Sequence, residues 1–466
     1  MTLSPADYVG LAAYFVALLY LGYLTRRTRT FRDFAVGKNA VPATMIFASM
    51  AATIIGPGFS VGFTSKGWSS GYLFYFLALA YAVQIVLVGI FVAPRLARER
   101  DCMSIGEIMR KRYGAFTHFL TGVVSVGLCI GFTAVMARVG GGILSAMTGL
   151  SLLVSCTIIT GVTAAITFSG GIRATIATEA VQFSFKAIIV AALLMLALSF
   201  SPATLEDVSS RAAGLTATAA ANMAPLAMVG AAVSFMLGEA LIPPYTNRAL
   251  ASESPGSSRA GFVAAGLFCV VWLAMVALLG VVAHDFLPAT TPGDDAFVAL
   301  ARTILPAGAF GLLLAALMAI VMGSQEAVLN SAAVSFVRDV VGAVRPARDS
   351  GSLLAARAAT ILFAALAIYA AQFAPSIIDG LLILYSIWAP TILIPLLLGL
   401  YLRVPRPLAG WLSIVAGGAS SVIWQMGLRE PHGVPAILVG LACSAVAYLI
   451  GHQVGRPRSM TQGEPQ

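Results

Sequence analysis

Thirteen apolar runs follow one another along this chain, each close to the length that crosses a bilayer and each separated from the next by a short polar stretch. They fall at about residues 7–24, 41–64, 71–94, 117–145, 151–168, 172–199, 224–246, 259–283, 306–335, 353–373, 376–401, 407–427 and 435–453. A spanning helix needs ~20 apolar residues, so thirteen of them take up most of the 466 residues and leave no length for a separate soluble catalytic domain. Charged residues make up only 10% of the chain, against ~25% in an ordinary soluble domain. The apolar share is 59% and the mean hydropathy +0.92. A soluble fold cannot hide that much apolar surface, because its own surface grows with length. Cytosolic enzymes, nucleic-acid-binding proteins and secreted scaffolds are excluded at this step.

The formal net charge of +9 follows the membrane. The first run opens at Asp7 and ends before Arg26, Arg27 and Arg29. A cleaved signal peptide carries its positive charge first, so this run reads as a retained helix with its N-terminus outside. Alternate loops then collect Arg32, Lys38, Arg95, Arg98, Arg100, Arg110, Lys111, Arg112, Arg173, Arg248, Arg259, Arg338, Arg345, Arg348, Arg357, Arg403, Arg406, Arg456 and Arg458. The opposite loops hold Arg211, Arg302 and Arg429. The positive-inside rule therefore predicts thirteen spans in an inner (plasma) membrane, with the C-terminus cytoplasmic. Residues 104–114 read as a short interfacial helix. Cys102, Cys129, Cys156, Cys269 and Cys443 lack metal or CxxC spacing and read as small core residues. Gly140, Gly141 and Gly142 lie in an apolar run and read as a close helix contact. No nucleophile–base or metal constellation marks an enzyme.

Two runs are interrupted. The second contains Gly56, Pro57 and Gly58; the seventh contains Gly238, Pro243 and Pro244. Proline removes a backbone donor, and inside a bilayer the freed groups must find partners. Transporters use such breaks to hold ions and substrates at the midplane. The breaks stand five spans apart, each opening a five-helix block, and an odd number inverts the second block. Simple kinking of packed helices is the blander alternative.

Ionisable residues inside spans are costly and mark function by default. Thr175, Thr178, Glu179, Gln182 and Lys186 form one polar stripe on the sixth span. Gly323, Ser324, Glu326, Ala327, Asn330 and Ser331 share about half the circumference of the ninth, with Gln325 facing away. Glu179 and Glu326 form a cation or proton site, or are ion-paired structurally, for instance with Lys186. Arg138 in the fourth span holds a substrate carboxylate through its planar fork, or pairs with Glu239, or caps carbonyls. Lys66, Trp68 and Tyr72 read as interfacial anchors.

At these residues the sequence resembles the solute:sodium symporter family, from about residue 7 to residue 455. The resemblance lies in DYVGLAAYF, RDFAVGKNAVP, SMAATIIGPG, GGIRATIATEAVQ, LGEALIPPYTNRALA and GSQEAVLNSAAVSFVRDV, taken in order. It implies an all-α integral membrane protein of about thirteen transmembrane helices. The architecture implied is a leucine-transporter-like five-plus-five inverted repeat with broken first and sixth core helices. The expected division is an extra N-terminal helix and inner loop (1–38), a first repeat (39–200), a second repeat (201–402), two additional helices (403–454) and a cytoplasmic tail (455–466). The resemblance also implies a sodium ion as coupling ion, held by the carbonyls of Ala52, Ile55 and Ile320 and at Gly323 and Ser324. Gly323 stands where the family usually has a hydroxyl. Glu179 matches a family aspartate. Glu326 and Ala327 match two serines of a second sodium site in some members, so Glu179 and Glu326 make a possible second cation or proton site. The substrate is expected against Gly56, Phe59, Ser60, Phe74, Ala78, Arg138, Leu241 and Ile242. The whole reads as a symporter of a small polar solute, an organic acid or amino-acid-like molecule, working by alternating access. A proton-coupled symporter on the same fold and a transporter-like membrane sensor are the rivals.

Overall fold

The computed structural model describes residues 4–25, 28–306, 308–344, 349–374, 377–402, 404 and 406–456. Arg26, Arg27, Arg345, Arg348, Arg403 and Arg458, counted above among the inner charges, lie outside the described residues, as does the tail from 457 on. Among the described residues the regular structure is entirely helical. Hydrocarbon dictates this, since a helix satisfies its backbone within one segment.

Helix α1 (Pro5–Thr25) precedes the first interrupted helix, which consists of α2 (Ala43–Ile54) and α3 (Phe63–Ser70). After α4 (Leu73–Leu87) come the short α5 (Ile105–Tyr113) and the long α6 (Ala115–Thr148) and α7 (Leu152–Phe200). Then follow α8 (Leu205–Asn222), the second interrupted helix α9 (Pro225–Leu237) and α10 (Pro243–Ala251), and α11 (Pro255–Val282). The chain continues with α12 (Ala309–Ser335), α13 (Asp349–Ala371), α14 (Ile377–Trp388), α15 (Ile394–Tyr401), α16 (Pro407–Val422) and α17 (Ala436–Val454). The expected interfacial helix is α5, capped by the Ser104 hydroxyl, which accepts from the Glu107 amide.

Ten helices among the described residues are long and apolar enough to cross alone, and up to twelve if two sharply bent pairs each count as one. The 49-residue α7 is two crossings. Straight, it would measure about 73 Å, far more than a bilayer. Its Thr160 hydroxyl accepts from Gln325 at 3.0 Å, and its Thr178 hydroxyl donates to Glu326 at 2.5 Å. Positions eighteen residues apart on a straight helix lie ~27 Å from each other, yet these two meet neighbouring residues of α12. The chain doubles back at Gly171 (φ 55°, ψ −148°), between the runs 151–168 and 172–199. α8 meets α9 at 110° and carries Glu206, Asp207 and Arg211, so α9 continues into α10 rather than back into α8. With α7 divided and each interrupted helix taken as one crossing, the described residues make thirteen. Two five-helix sets, each opened by an interrupted helix, form the leucine-transporter-like core.

α12 is the axis of this core. Every residue from Leu313 to Ser335 is buried, the polar stripe included, so that stripe faces protein and not lipid. It packs on α6, α7, α1 and α13. The outer helices present bulky apolar side chains instead, among them Val16, Ile188, Met195, Leu267, Val271 and Leu449. Such a girdle suits lipid and would be a liability in water. The glycine contact is present: a Cβ on Gly141 would lie 2.3 Å from Cys156 Sγ. Cys102, Cys129, Cys156 and Cys269 are buried and Cys443 is half-buried, all unpaired.

Candidate functional site

The two breaks lie side by side against α12. α2 ends at Ile55 (φ −72°, ψ 41°), and the chain bends by 61° before α3. A Cβ on Gly56 would lie 3.1 Å from Ser324 Oγ, so glycine permits this contact with α12. The second break runs over Gly238–Ile242. Pro243 and Pro244 do not interrupt a helix; they start α10, where a missing N–H costs nothing. Leu241 takes φ 57°, a left-handed conformation that costs a non-glycine residue ~1–2 kcal/mol. The freed carbonyls find donors. Trp388 Nε1 donates to Ala240 O (3.0 Å), Thr246 Oγ1 to Leu241 O (3.1 Å) and Trp272 Nε1 to Phe59 O (3.0 Å).

A narrow cavity opens between the breaks. Gly56, Pro57, Gly58 and Phe59 line it from the first, Glu239 and Ile242 from the second, and Phe132, Val135 and Met136 from α6. Thr53 is also on its wall, and its charged residue is Glu239. Three phenols converge on it: Tyr385 at 2.7 Å, Tyr245 at 2.8 Å, and Tyr81. The Tyr81 ring stacks on Phe59 with centroids 4.5 Å apart. The arrangement is a carboxylate held in place by neutral donors, with aromatic faces beside it.

A second polar cluster lies beside α2. Arg248 of α10 pairs with Glu179 of α7 (Nη2–Oε1 2.5 Å), and both are buried. Arg248 also donates to Ser49 Oγ (2.6 Å), Thr53 Oγ1 (2.9 Å) and Pro244 O (2.9 Å). The Ser49 hydroxyl donates to Glu179 in turn. Glu326 accepts from Thr178 (2.5 Å) and Gln182 (3.4 Å). Lys186 Nζ donates to the Ala52 carbonyl (2.7 Å). The Ser324 hydroxyl lies 3.3 Å from Thr53 O and 3.4 Å from Ile320 O. Gln325 faces away as expected, donating to Thr133 O and Thr160 Oγ1.

Several sequence expectations change here. Lys186 does not pair with Glu179, whose partner is Arg248. Arg248, expected in an inner loop, is buried inside the bundle. Glu239 holds three tyrosines, not Arg138. Gly56, Phe59 and Ile242 line the cavity, and Leu241 sits beside Ile242 in the break. Ser60 is buried with its hydroxyl unpartnered among the described residues, and Ala78 is buried on α4. Phe74 lies instead under the Lys66 ammonium (4.5 Å to the ring centroid). Arg138 lines a separate cavity with Val61, Met147, Asp294 and Asp295. Trp68 is no interfacial anchor: it is buried and stacks on His284 at 3.8 Å. Tyr81, Tyr245 and Tyr385 escaped the sequence reading because tyrosine within an apolar run looks like ordinary core.

Paired helix breaks against a buried central helix, in a bundle with a lipid-facing girdle, define a secondary transporter of the inverted-repeat class. The sodium:solute symporter family model matches residues 34–406, and the chain belongs to that family. It is 22% identical to the sodium/pantothenate symporter of Haemophilus influenzae, over 91% of each chain. It is 24% identical to the sodium/myo-inositol cotransporter 2 of Sus scrofa, over 76% of this chain and 59% of that one. A solved Na+-coupled sialic acid symporter, in a substrate-bound outward-open state, superposes with a TM-score of 0.84 at 17% identity, covering 98% of this chain and 99% of that one.

The family implies sodium as coupling ion. The groups assigned to it by resemblance do not fit a sodium ion as they stand here. Gly323 offers no hydroxyl. The Ala52 carbonyl already takes a hydrogen bond from an ammonium. Two unit positive charges ~4 Å apart repel by ~4 kcal/mol even at an effective dielectric of ~20.

Proposed function

We propose that this chain is a secondary-active symporter that moves a small polar solute across an inner membrane by alternating access, holding it in the cavity between the two helix breaks. The observation that carries the reading is Glu239, a carboxylate on the second break that faces the cavity. It supports a solute that offers hydrogen-bond donors, either the ammonium of an amino-acid-like molecule or the hydroxyls of a polyol. It weighs against a simple organic acid, for which Arg138 would have to reach the same cavity. The charge partition supports an outside N-terminus and a cytoplasmic C-terminus. On that orientation the Glu179–Arg248 network closes the cytoplasmic half. The solute shifts the equilibrium between the two open states only through its different affinity for each, and entry to the cytoplasm requires the network to part.

The test has two steps. A thermal-shift screen of the purified protein against amino acids, polyols, sugars and pantothenate finds the solute, because a ligand that binds the folded state raises its stability. Uptake of that solute into proteoliposomes is then compared in wild type and Glu239→Gln, which keeps the shape and removes the charge. The expected result is a loss of at least about tenfold in uptake, roughly 1.4 kcal/mol. Wild-type uptake by the variant removes Glu239 from the solute site.

A further inference from the structure

Lys186 is the buried charge that the transport scheme leaves unused. It sits on α7, fully enclosed, and its Nζ reaches the Ala52 carbonyl on the last turn of α2 at 2.7 Å. Opposite stands Gly323 of α12. A Cβ at that position would lie 3.6 Å from Lys186 Nζ and 2.4 Å from Gln182 Oε1. A serine or threonine there needs the flexible Gln182 amide to shift, and its side chain would then lie against the Lys186 ammonium. Two departures therefore meet at one point. The hydroxyl that a bound cation would use is missing, and a cation on a tether is present.

The surrounding charges agree. Glu179 is on the same helix and paired with Arg248 of α10. Glu326 of α12 takes hydrogen bonds from Thr178 and Gln182, with the half-buried Tyr14 of α1 nearby, its buried hydroxyl unpartnered among the described residues. Two acidic residues, Glu179 and Glu326, and two basic ones, Arg248 and Lys186, are therefore buried together here. A mobile cation added at this point would be a third positive group in a buried core.

We propose that the Lys186 ammonium occupies the position between Ala52 and α12 that sodium takes in the family, so that the first helix break is joined to the central helix by a covalently held cation and no sodium binds there. A tethered ammonium supplies an N–H donor to one of the carbonyls assigned to the metal, that of Ala52. It does not leave when the solute leaves, so this position cannot sense a sodium gradient. The inference rests on the symporter reading for the meaning of the site.

The experiment needs no solute and probes sodium alone. Purified protein is melted in NaCl and in KCl at equal ionic strength, as wild type and as the double variant Lys186→Ala with Gly323→Ser. Wild type is expected to melt at the same temperature in both salts. The double variant, with the tether removed and the hydroxyl restored, is expected to gain several degrees in sodium alone. A sodium-specific rise in wild type that Ser324→Ala abolishes overturns the proposal. So does a double variant that ignores sodium, because the lysine was then not what kept sodium out. If the double variant does not fold, Lys186→Gln with Gly323 unchanged is read by the same criteria. Failure of the symporter reading appears elsewhere, as absence of solute uptake, and leaves this readout untouched.

Discussion

One guanidinium, that of Arg248, touches three helices. Its partners are Glu179 on α7, Ser49 and Thr53 on α2, and the Pro244 carbonyl at the start of its own α10. Truncating one member of such a pair leaves the other buried and unpaired, which costs ~3–5 kcal/mol, whereas replacing both with apolar residues is often neutral. Arg248→Met alone is therefore expected to lower thermal stability strongly. Arg248→Met combined with Glu179→Leu is expected to recover most of the loss, measured by melting in detergent. Equal losses in the single and double variants would show that the contact contributes nothing as a pair. The sequence could place Glu179, because a carboxylate in the middle of an apolar run is costly and must have a partner or a function. It could not place Arg248, because an arginine at the end of a span reads the same whether it points to water or into the bundle. What turns it inward is the restart of the helix at Pro243: Pro244 and Arg248 are then i and i+4 on one face, and that face looks at α2.

Among the elements, α7 shows what apolar length alone can and cannot reveal. The two apolar runs either side of residues 169–171 already read as two spans, each close to the length that crosses a bilayer. The breaks in the second and seventh runs were equally legible, since Gly and Pro are the residues that interrupt helices. The role of each residue was less so. Pro243 and Pro244 begin a helix, and the distorted residue is Leu241, which carries no sequence mark. The cage around Glu239 was hidden because its tyrosines come from α4, α10 and α14, brought together only by tertiary packing. Gly171 is the test at this scale. Its backbone (φ 55°, ψ −148°) is open to glycine and strained for any other residue. A Cβ there would also lie 2.6 Å from the Phe34 carbonyl oxygen. Gly171→Ala is expected to cost more than ~2 kcal/mol and to cut the yield of folded protein. Gly161→Ala, where a Cβ meets nothing within 4 Å, is the matched control and is expected to be neutral. Equal yields from the two variants would mean that the turn does not depend on glycine.

For the whole molecule, three separate cavities are lined by different parts of the chain. One, lined by Arg138, Asp294 and Asp295, adjoins loops expected outside. Another, lined by Asp33, Met45 and Arg173, adjoins loops expected inside. The central cavity with Glu239 lies between the helix breaks, and the Glu179–Arg248 network ties α2, α7 and α10 together beside it. If the network is the inner closure, weakening it shifts the population toward the inward-open state by whatever it contributed to the closed one. Met136 is a suitable reporter, since it lines the central cavity from α6 and belongs to neither network. In a background without native cysteines, Met136→Cys is expected to react slowly with a membrane-impermeant thiol reagent applied from the side of Arg95 and Arg338. Adding Glu179→Gln keeps the shape of the lock but removes its charge pair. A shift of ~1.4 kcal/mol toward the open state corresponds to about tenfold in population, so labelling from that side is expected to rise by about tenfold. Labelling from the opposite side is expected to fall, because the two openings exclude one another. A rise from both sides would show general loosening of the bundle, and no change from either would place the closure elsewhere than at Arg248.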